Sequence, residues 1–314
     1  MKLVFLDRKT IGEDIDLSPF NQFGEVVCYD YSTPSEAAER TSDADIIILN
    51  KVPVNQETIG NALSLRLVCV TATGTNNLNK DYLKKRGIAW RNVAGYSTEA
   101  VAQHTFSLMF YLLEHMNYYD NYVKSERYIG DRQFTHFEKH FRELNGMTWG
   151  IIGLGAIGSR VAQLATAFGA NVIYYSTSGK NHSDIYNQVD FDTLLSTSDI
   201  VSIHAPLDDN TFHLMDMSAF KKMKKSAILI NVGRGPIILE KDLADALDSG
   251  EIAAAGLDVL DVEPMSVDSP LRHIKDSDKL IITPHVAWAA VEARQRLMKI
   301  IETQIREFLE AYGI

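Results

Sequence analysis

Chemistry in this chain concentrates in one glycine-rich hexapeptide and three polar residues that follow it. The hexapeptide "GLGAIG" places Gly153, Gly155 and Gly158 in a G-x-G-x-x-G pattern, after the apolar run "TWGII" and at the start of the helical segment "AIGSRVAQLATAFG". In that strand-to-helix setting Gly153 permits a tight turn and Gly155 lets the backbone approach a pyrophosphate. Gly158 lets helix and strand pack closely. The N–H groups and dipole of the helix start attract the anion. The polar residues are Arg234 in "AILINVGRG", Glu263 in "GLDVLDVEP" and His285 in "IITPHVAW". Taken alone, His285 suits the closing of a buried strand better than it suits proton donation, because most histidines do no chemistry. At the carboxyl ends of parallel strands, where ligands sit in open sheets, the three could converge on a bound cofactor.

The elements that would position them form two strand–helix series. "LVFL" (3–6), "VVCYD" (26–30), "DIIILN" (45–50), "LVCVTATG" (67–74) and "IAWRNV" (88–93) read as strands. Near-continuous apolar strands separated by helix-compatible segments indicate parallel sheets covered on both faces. A long helix follows, with Ser97 or Thr98 as N-cap and Glu99 in its first turn. Val101, Thr105, Leu108, Leu112 and Met116 give it an apolar stripe. Residues 117–147 read as the helix end and a packed connecting segment. The second series starts at Thr148, with strands "TWGIIGLG", "NVIYYS", "DIVSIHA", "AILINVG", "AAAGLDV" and "LIITPH". A final helix is expected over roughly 287–311, free to pack back on the first unit.

Bulk properties agree with this organisation. A chain of 314 residues exceeds the size at which single cores tend to split. Its 46% hydrophobic and 23% charged content is that of an ordinary globular protein. A net charge of −10 argues against nucleic acid or an anionic membrane as partner. The two cysteines, Cys28 and Cys69, lie in apolar runs without metal-ligand spacing. They read as reduced core residues, and no metal is expected. The N-terminus "MKLVFLDRK" lacks a signal-peptide pattern, and "AVAQHTFSLMFYL" is too short to span a bilayer, so a cytoplasmic location is expected.

The end of the strand after the phosphate loop discriminates between cofactors. An NAD site usually carries an acid about 20 residues on, bonded to the ribose 2′-hydroxyl. Here that position falls near Ser176, and no Asp or Glu occurs from Ala170 until Asp184. Ser176, Thr177 and Ser178 can donate to a 2′-phosphate and Lys180 can neutralise it. NADP(H) is therefore favoured, with NAD(H) the alternative.

Taken together, "GLGAIG", "NVGRG", "GLDVLDVEP" and "TPHVAW" resemble the D-isomer-specific 2-hydroxyacid dehydrogenase family over essentially the whole chain. "CVTATGTNN", "NVAGYSTEAVAQH" and "HVAWAAVEARQR" are similar to its glycerate dehydrogenase, or hydroxypyruvate reductase, branch. The resemblance implies an α/β architecture of two doubly wound parallel-sheet domains. A Rossmann cofactor domain (98–285) would be inserted into a flavodoxin-like substrate domain (1–97 plus 286–314), and the resemblance implies a homodimer. It implies Arg234, Glu263 and His285 as the catalytic set. It implies Ala156 and Ile157 by the pyrophosphate, Ala205 and Asn210 near the adenosine, and Val232, Gly233 and Asp258 on the cofactor, Asp258 near the nicotinamide. Ser176 departs from the acid usual in NAD-using relatives.

The chemistry implied is hydride transfer between a nicotinamide and a small 2-oxo acid such as hydroxypyruvate or glyoxylate. His285 is suited to give the carbonyl oxygen its proton, and a carboxylate bonded to the imidazole favours the charged form. Arg234 can polarise the carbonyl and hold the substrate carboxylate. Backbone N–H groups of Ala72, Thr73 and Gly74 could hold that carboxylate as well. Trp288 either walls the substrate pocket or packs a hinge. Lys51 follows a strand and is an even choice between substrate contact and solvent. His204 reads as a wall of the cofactor domain and not as an acid. Two rival readings remain: a relative acting on phenylpyruvate or pyruvate, and a dinucleotide-sensing binding protein like the C-terminal-binding corepressors.

Overall fold

The computed structural model describes residues 1–313. It divides into two compact units, residues 1–97 with 289–314 and residues 98–288. The second boundary falls three residues beyond the expected 286. Val286 and Ala287 stay with the larger unit because their N–H groups donate to the Asp258 carboxylate at 2.8 Å each.

The first unit is built on strands β1 (Lys2–Phe5), β2 (Glu25–Cys28), β3 (Ile46–Leu49), β4 (Leu67–Val70) and β5 (Ala89–Arg91). All pair in parallel, in the order β2-β1-β3-β4-β5. That is the flavodoxin-like order. Its helices are α1 (Pro34–Arg40), α2 (Gln56–Ile59) and α3 (Lys80–Arg86). Alternation splits the strand residues between two faces. Val4, Ile47, Leu49, Val68 and Val70 join one buried cluster, while Phe5 on the other face meets Phe20 edge-on.

Cys69 is buried in this sheet, but Cys28 is exposed, contrary to expectation, because β2 is an edge strand. The strands also end earlier than the apolar runs suggest: β4 stops at Val70, leaving Thr71–Gly74 as loop. A buried acid organises one such loop. Asp7, just past β1, accepts from the N–H groups of Asn50 at 2.8 Å and Lys51 at 2.7 Å, and more distantly from Val52. Burial raises the Asp7 pKa, and these donors partly offset that.

The second unit opens with α4 (Thr98–Leu113) and α5 (Met116–Lys124). Val101, Thr105, Leu108 and Leu112 are buried as the periodicity requires, and α4 packs on the sheet. Met116 leaves the stripe: His115 adopts a left-handed conformation, the helix restarts in a new direction, and Met116 is about half exposed. The segment expected to be packed is largely exposed from Glu126 to Glu143. Only Tyr122 is buried in α5, with His136 stacked on its ring at 3.8 Å.

The strands of this unit are β6 (Thr148–Ile152), β7 (Asn171–Tyr175), β8 (Asn187–Gln188), β9 (Ile200–Ile203), β10 (Ile228–Asn231), β11 (Ala254–Leu257) and β12 (Leu280–Ile282). Between them run α6 (Ala156–Ala167), α7 (Phe191–Thr197), α8 (Met217–Lys222) and α9 (Glu240–Ser249). The order β8-β7-β6-β9-β10-β11-β12 is the doubly wound Rossmann order with one strand added at the far edge. The short β8 had no signal in the apolar pattern because it consists of Asn187 and Gln188. Burial on both faces is direct: Ile151, Ile200 and Ile230 join one core cluster, and Ile152, Val201 and Leu229 the other.

Helix α10 (Val291–Tyr312) starts four residues later than expected and returns to the first unit. Arg294 pairs with Asp14 at 2.9 Å, and Gln304 donates to the Asn92 carbonyl. No helix among the described residues is long and apolar enough to cross a membrane.

Replacing Asp7 by Leu strands buried N–H donors and is expected to lower stability by about 2–4 kcal/mol, whereas Asp7→Asn, which keeps an acceptor, loses less. Urea unfolding of the two variants checks this, and equal loss in both contradicts it.

Candidate active site

The site residues of the larger unit stand in a row along the carboxyl ends of its strands. At the point where the strand order reverses, Gly153 follows β6 and Ala205 follows β9. Gly153 has φ +92°, and a Cβ on it would lie 2.8 Å from the Ala205 nitrogen. Only glycine fits both conditions. Gly155 is the N-cap of α6, with Ala156 and Ile157 in its first turn and Gly158 buried. Gly233 continues the row beside the Ala205 carbonyl, and Val232 is buried behind it.

These features fit a dinucleotide. The loop leaves an open helix N-terminus for a diphosphate, and no side chain stands at Gly155. At the end of β7 the Ser176 hydroxyl is buried and has no hydrogen-bond partner in the protein. It is thus not the open phosphate donor that its position in the sequence suggested. Thr177 is half-buried, and Ser178 and Lys180 are exposed. Ser178 Oγ accepts from the Lys180 N–H at 3.2 Å. Asn210 is exposed, its N–H held by Asp208.

The three candidate catalytic side chains follow the last three strands. His285 Nδ1 lies 2.7 Å from Glu263 Oε2, and Glu263 Oε1 accepts from the Leu260 N–H at 3.0 Å. An ionised carboxylate only accepts, so Nδ1 carries its hydrogen and Nε2 is left for a substrate. Arg234 donates to the Gly233 carbonyl at 2.7 Å, and its own carbonyl accepts from Asn231. The Arg234 loop and the Glu263 loop press together at Gly235, where a Cβ would overlap the Leu260 carbonyl.

His285 itself is in the left-handed region, with φ +55°. That conformation is uncommon away from glycine and has to be imposed by surroundings. Here the imposing group is Asp258, 1% exposed. Its carbonyl accepts from the His285 N–H at 2.9 Å. Its carboxylate accepts from the N–H groups of Val286 and Ala287 and from the Thr283 hydroxyl at 2.6 Å. The turn that carries His285 is therefore held by Asp258. Trp288 packs against the core cluster of this unit.

One histidine escaped the sequence reading. His104, on α4, places Nε2 2.9 Å from the Thr283 hydroxyl and 3.5 Å from Asp258. Its only signal was a histidine three residues after Val101, at the margin of the buried stripe. His204 was noticed, but not its partners: Trp149 donates to Ser202 Oγ at 2.8 Å, and His204 Nε2 lies 3.0 Å from that same oxygen. The His204 ring is partly covered, yet its Nδ1 is sealed from solvent without a partner. Burial pushes its pKa down to about 3 from 6.5.

In the smaller unit, Ala72, Thr73 and Gly74 form the loop after β4. Thr73 Oγ1 donates to the Val93 carbonyl and Asn92 donates to the Thr73 carbonyl, which braces the loop. The N–H groups of Ala72, Thr73 and Gly74 have no acceptor among the described residues. Lys51 is exposed, its backbone N–H held by Asp7.

Comparison with known proteins agrees with this geometry. Residues 106–287 match the family described as D-isomer specific 2-hydroxyacid dehydrogenase, NAD binding domain. The chain belongs to that family. It is 36% identical to a hydroxypyruvate reductase of Blautia hydrogenotrophica, over 99% of this chain and 97% of that one. It is 37% identical to a glycerate dehydrogenase of Methylorubrum extorquens, over 99% and 96%. Among solved structures, the D-lactate dehydrogenase of Aquifex aeolicus complexed with NAD and lactic acid superposes with a TM-score of 0.84. Its identity is 26%, with 99% of this chain and 96% of that one covered. As a member of this dehydrogenase family, the protein is an oxidoreductase acting on CH–OH donors.

The depressed His204 pKa has a consequence for acid stability. Unfolded chains take up this proton as pH falls below 6.5, while the folded protein resists it until about 3. The associated stability is present above 6.5 and is lost on acidification towards 3. Urea unfolding measured from pH 7 to pH 4 should decline less steeply for His204→Gln than for the unmodified chain. Equal slopes would place the acid sensitivity elsewhere.

Proposed function

We propose that the protein reduces a small 2-oxo acid, hydroxypyruvate or glyoxylate, to the D-2-hydroxy acid, with His285 as proton donor. The observation that carries this reading is the 2.7 Å contact between His285 and Glu263 beside a dinucleotide loop. Bound NAD(P)H supplies the hydride to the C2 carbon. His285 delivers a proton from Nε2 to the carbonyl oxygen, and Glu263 compensates the positive imidazolium through Nδ1. Arg234 polarises the carbonyl and pairs with the substrate carboxylate. The N–H groups of Ala72, Thr73 and Gly74 form a nest of the kind that receives carboxylates. Asp258 acts by holding the His285 turn. The names of the similar proteins support a short hydroxylated substrate over phenylpyruvate, pyruvate or a purely dinucleotide-sensing role.

NADP(H) is the proposed cofactor over NAD(H), on the absence of an acid at the β7 end and the exposed Ser178 and Lys180. A homodimer is proposed from the same chain. Ile129, Phe134 and Phe137 are 79%, 92% and 71% exposed, an apolar strip that a second copy would cover.

The decisive experiment follows NADPH and NADH oxidation with hydroxypyruvate, glyoxylate, pyruvate and phenylpyruvate. Hydroxypyruvate or glyoxylate should give the highest kcat/KM. His285→Ala should lose on the order of 10³-fold in kcat with cofactor affinity retained. Near-normal turnover in that variant refutes the assignment. Lys180→Met should cost NADPH about tenfold in kcat/KM and leave NADH unchanged; a preference for NADH in the parent enzyme overturns the cofactor proposal. Sedimentation should give a dimer, and Phe134→Asp with Phe137→Asp a monomer. A monomeric parent removes that proposal.

A further inference from the structure

We infer that His104 is a positioning residue for His285, acting through Thr283 and Asp258. The inference rests on the catalytic role proposed for His285 and adds a group that neither motif nor spacing assigned.

The directions of the hydrogen bonds decide it. Thr283 Oγ1 lies 2.6 Å from Asp258 Oδ1, and a carboxylate can only accept, so the threonine hydroxyl donates to the acid. That hydroxyl is then free to accept, and His104 Nε2 lies 2.9 Å from it. His104 therefore carries a hydrogen on Nε2, in either its neutral or its charged form. The chain runs from His104 Nε2–H to Thr283, and from Thr283 O–H to Asp258. It ends on the carboxylate that gathers the N–H groups of Val286 and Ala287, directly after His285.

Geometry gives this chain a task. Asp258 is 1% exposed, and among the described residues its charge has no lysine or arginine within ion-pair distance; the basic group that reaches it is His104, at 3.5 Å. Without the imidazole, Thr283 loses the donor that fixes its hydroxyl towards Asp258. The acid then holds the left-handed turn at His285 with one oriented contact fewer. A turn of that kind in a non-glycine residue relaxes when its restraints weaken. Relaxation would carry Nδ1 away from Glu263. His104 sits on α4, whose packing on β11 and β12 fixes it against the loop that His285 occupies. The side chain is 20% exposed, so it is held by the fold and is not a solvated surface group.

The test uses the full-length protein with His104→Leu, His104→Gln, Thr283→Val and the Leu/Val double variant. Gln keeps a side-chain N–H donor near the Nε2 position, and Leu removes it. His104→Leu is expected to lower kcat 10- to 100-fold, with cofactor affinity, read by fluorescence titration, within threefold of the parent. His104→Gln should recover most of the loss. The double variant should be no worse than Thr283→Val alone, because the two act in one chain. A readout independent of turnover is the low-field Nδ1–H proton resonance of His285, identified by its loss in His285→Gln. It should be present in the parent and His104→Gln and weakened or lost in His104→Leu. Parent-like kcat and resonance in His104→Leu, or a Gln variant no better than Leu, overturns the inference. Should His104→Leu fail to fold, the same losses are expected of folded Thr283→Val, and their absence there is equally fatal. If the parent reduces none of the 2-oxo acids, the proposed function fails, while the resonance still decides whether the relay exists.

Discussion

A single buried carboxylate holds the reactive end of the larger unit together. Asp258 is sequestered at the end of β11, and its oxygens accept from two successive backbone N–H groups and a hydroxyl. Such a group is costly to bury unless its lone pairs are filled. Filling them forces the chain after β12 into one path, and that path places His285 in a conformation it would not choose. The imidazole is thereby aimed before any ligand arrives, the kind of preorganisation that a proton-transfer site requires.

The smaller unit uses the same device. Asp7 stands at the end of β1 and gathers the N–H groups of the loop after β3. In both units an acid one or two residues past a parallel strand pins the loop after another strand. Parallel sheets make this natural, because all their carboxyl ends lie on one edge and leave neighbouring loops within reach of a short side chain. Loops carrying functional backbone and side-chain groups are otherwise the least restrained parts of a fold. The glycines answer a complementary need. At Gly153 and Gly235 the backbone passes so close to Ala205 and Leu260 that no side chain could intervene. Close approach brings the strand-end groups into one row, and the buried acids keep that row rigid.

Much of this was legible in the residues. Apolar runs marked eleven of the strands because parallel strands buried on both faces read as continuous Val, Ile and Leu. They overran the true ends, since an apolar residue beyond a strand can be buried in a loop as readily as in a sheet. Val259 shows this, following Asp258 and 2% exposed outside any strand. The strand Asn187–Gln188 was invisible for the opposite reason: it pairs with β7 through two polar residues that an apolar pattern does not mark. Met116 fits the helical period, but His115 breaks the helix axis with a left-handed residue that periodicity does not register. Cys28 looked like core because local apolarity does not reveal which strand lies at an edge. His104 and Thr283 were silent because their significance is a contact across 179 positions of chain.

The amino-acid sequence by itself determined which chemistry was available. The glycine pattern after a strand, the spacing of Arg234, Glu263 and His285 at later strand ends, and the missing acid near Ser176 are local facts. Local sterics and propensity are enough to read them. Tertiary structure decided which groups act together. It joined Nδ1 of His285 to Glu263, filled Asp258 with the backbone of the loop it orients, sealed the Ser176 hydroxyl, and brought His104 to Thr283. Those outcomes depend on strand order and burial, which bring distant residues within hydrogen-bond range, and distance along the chain carries no information about them.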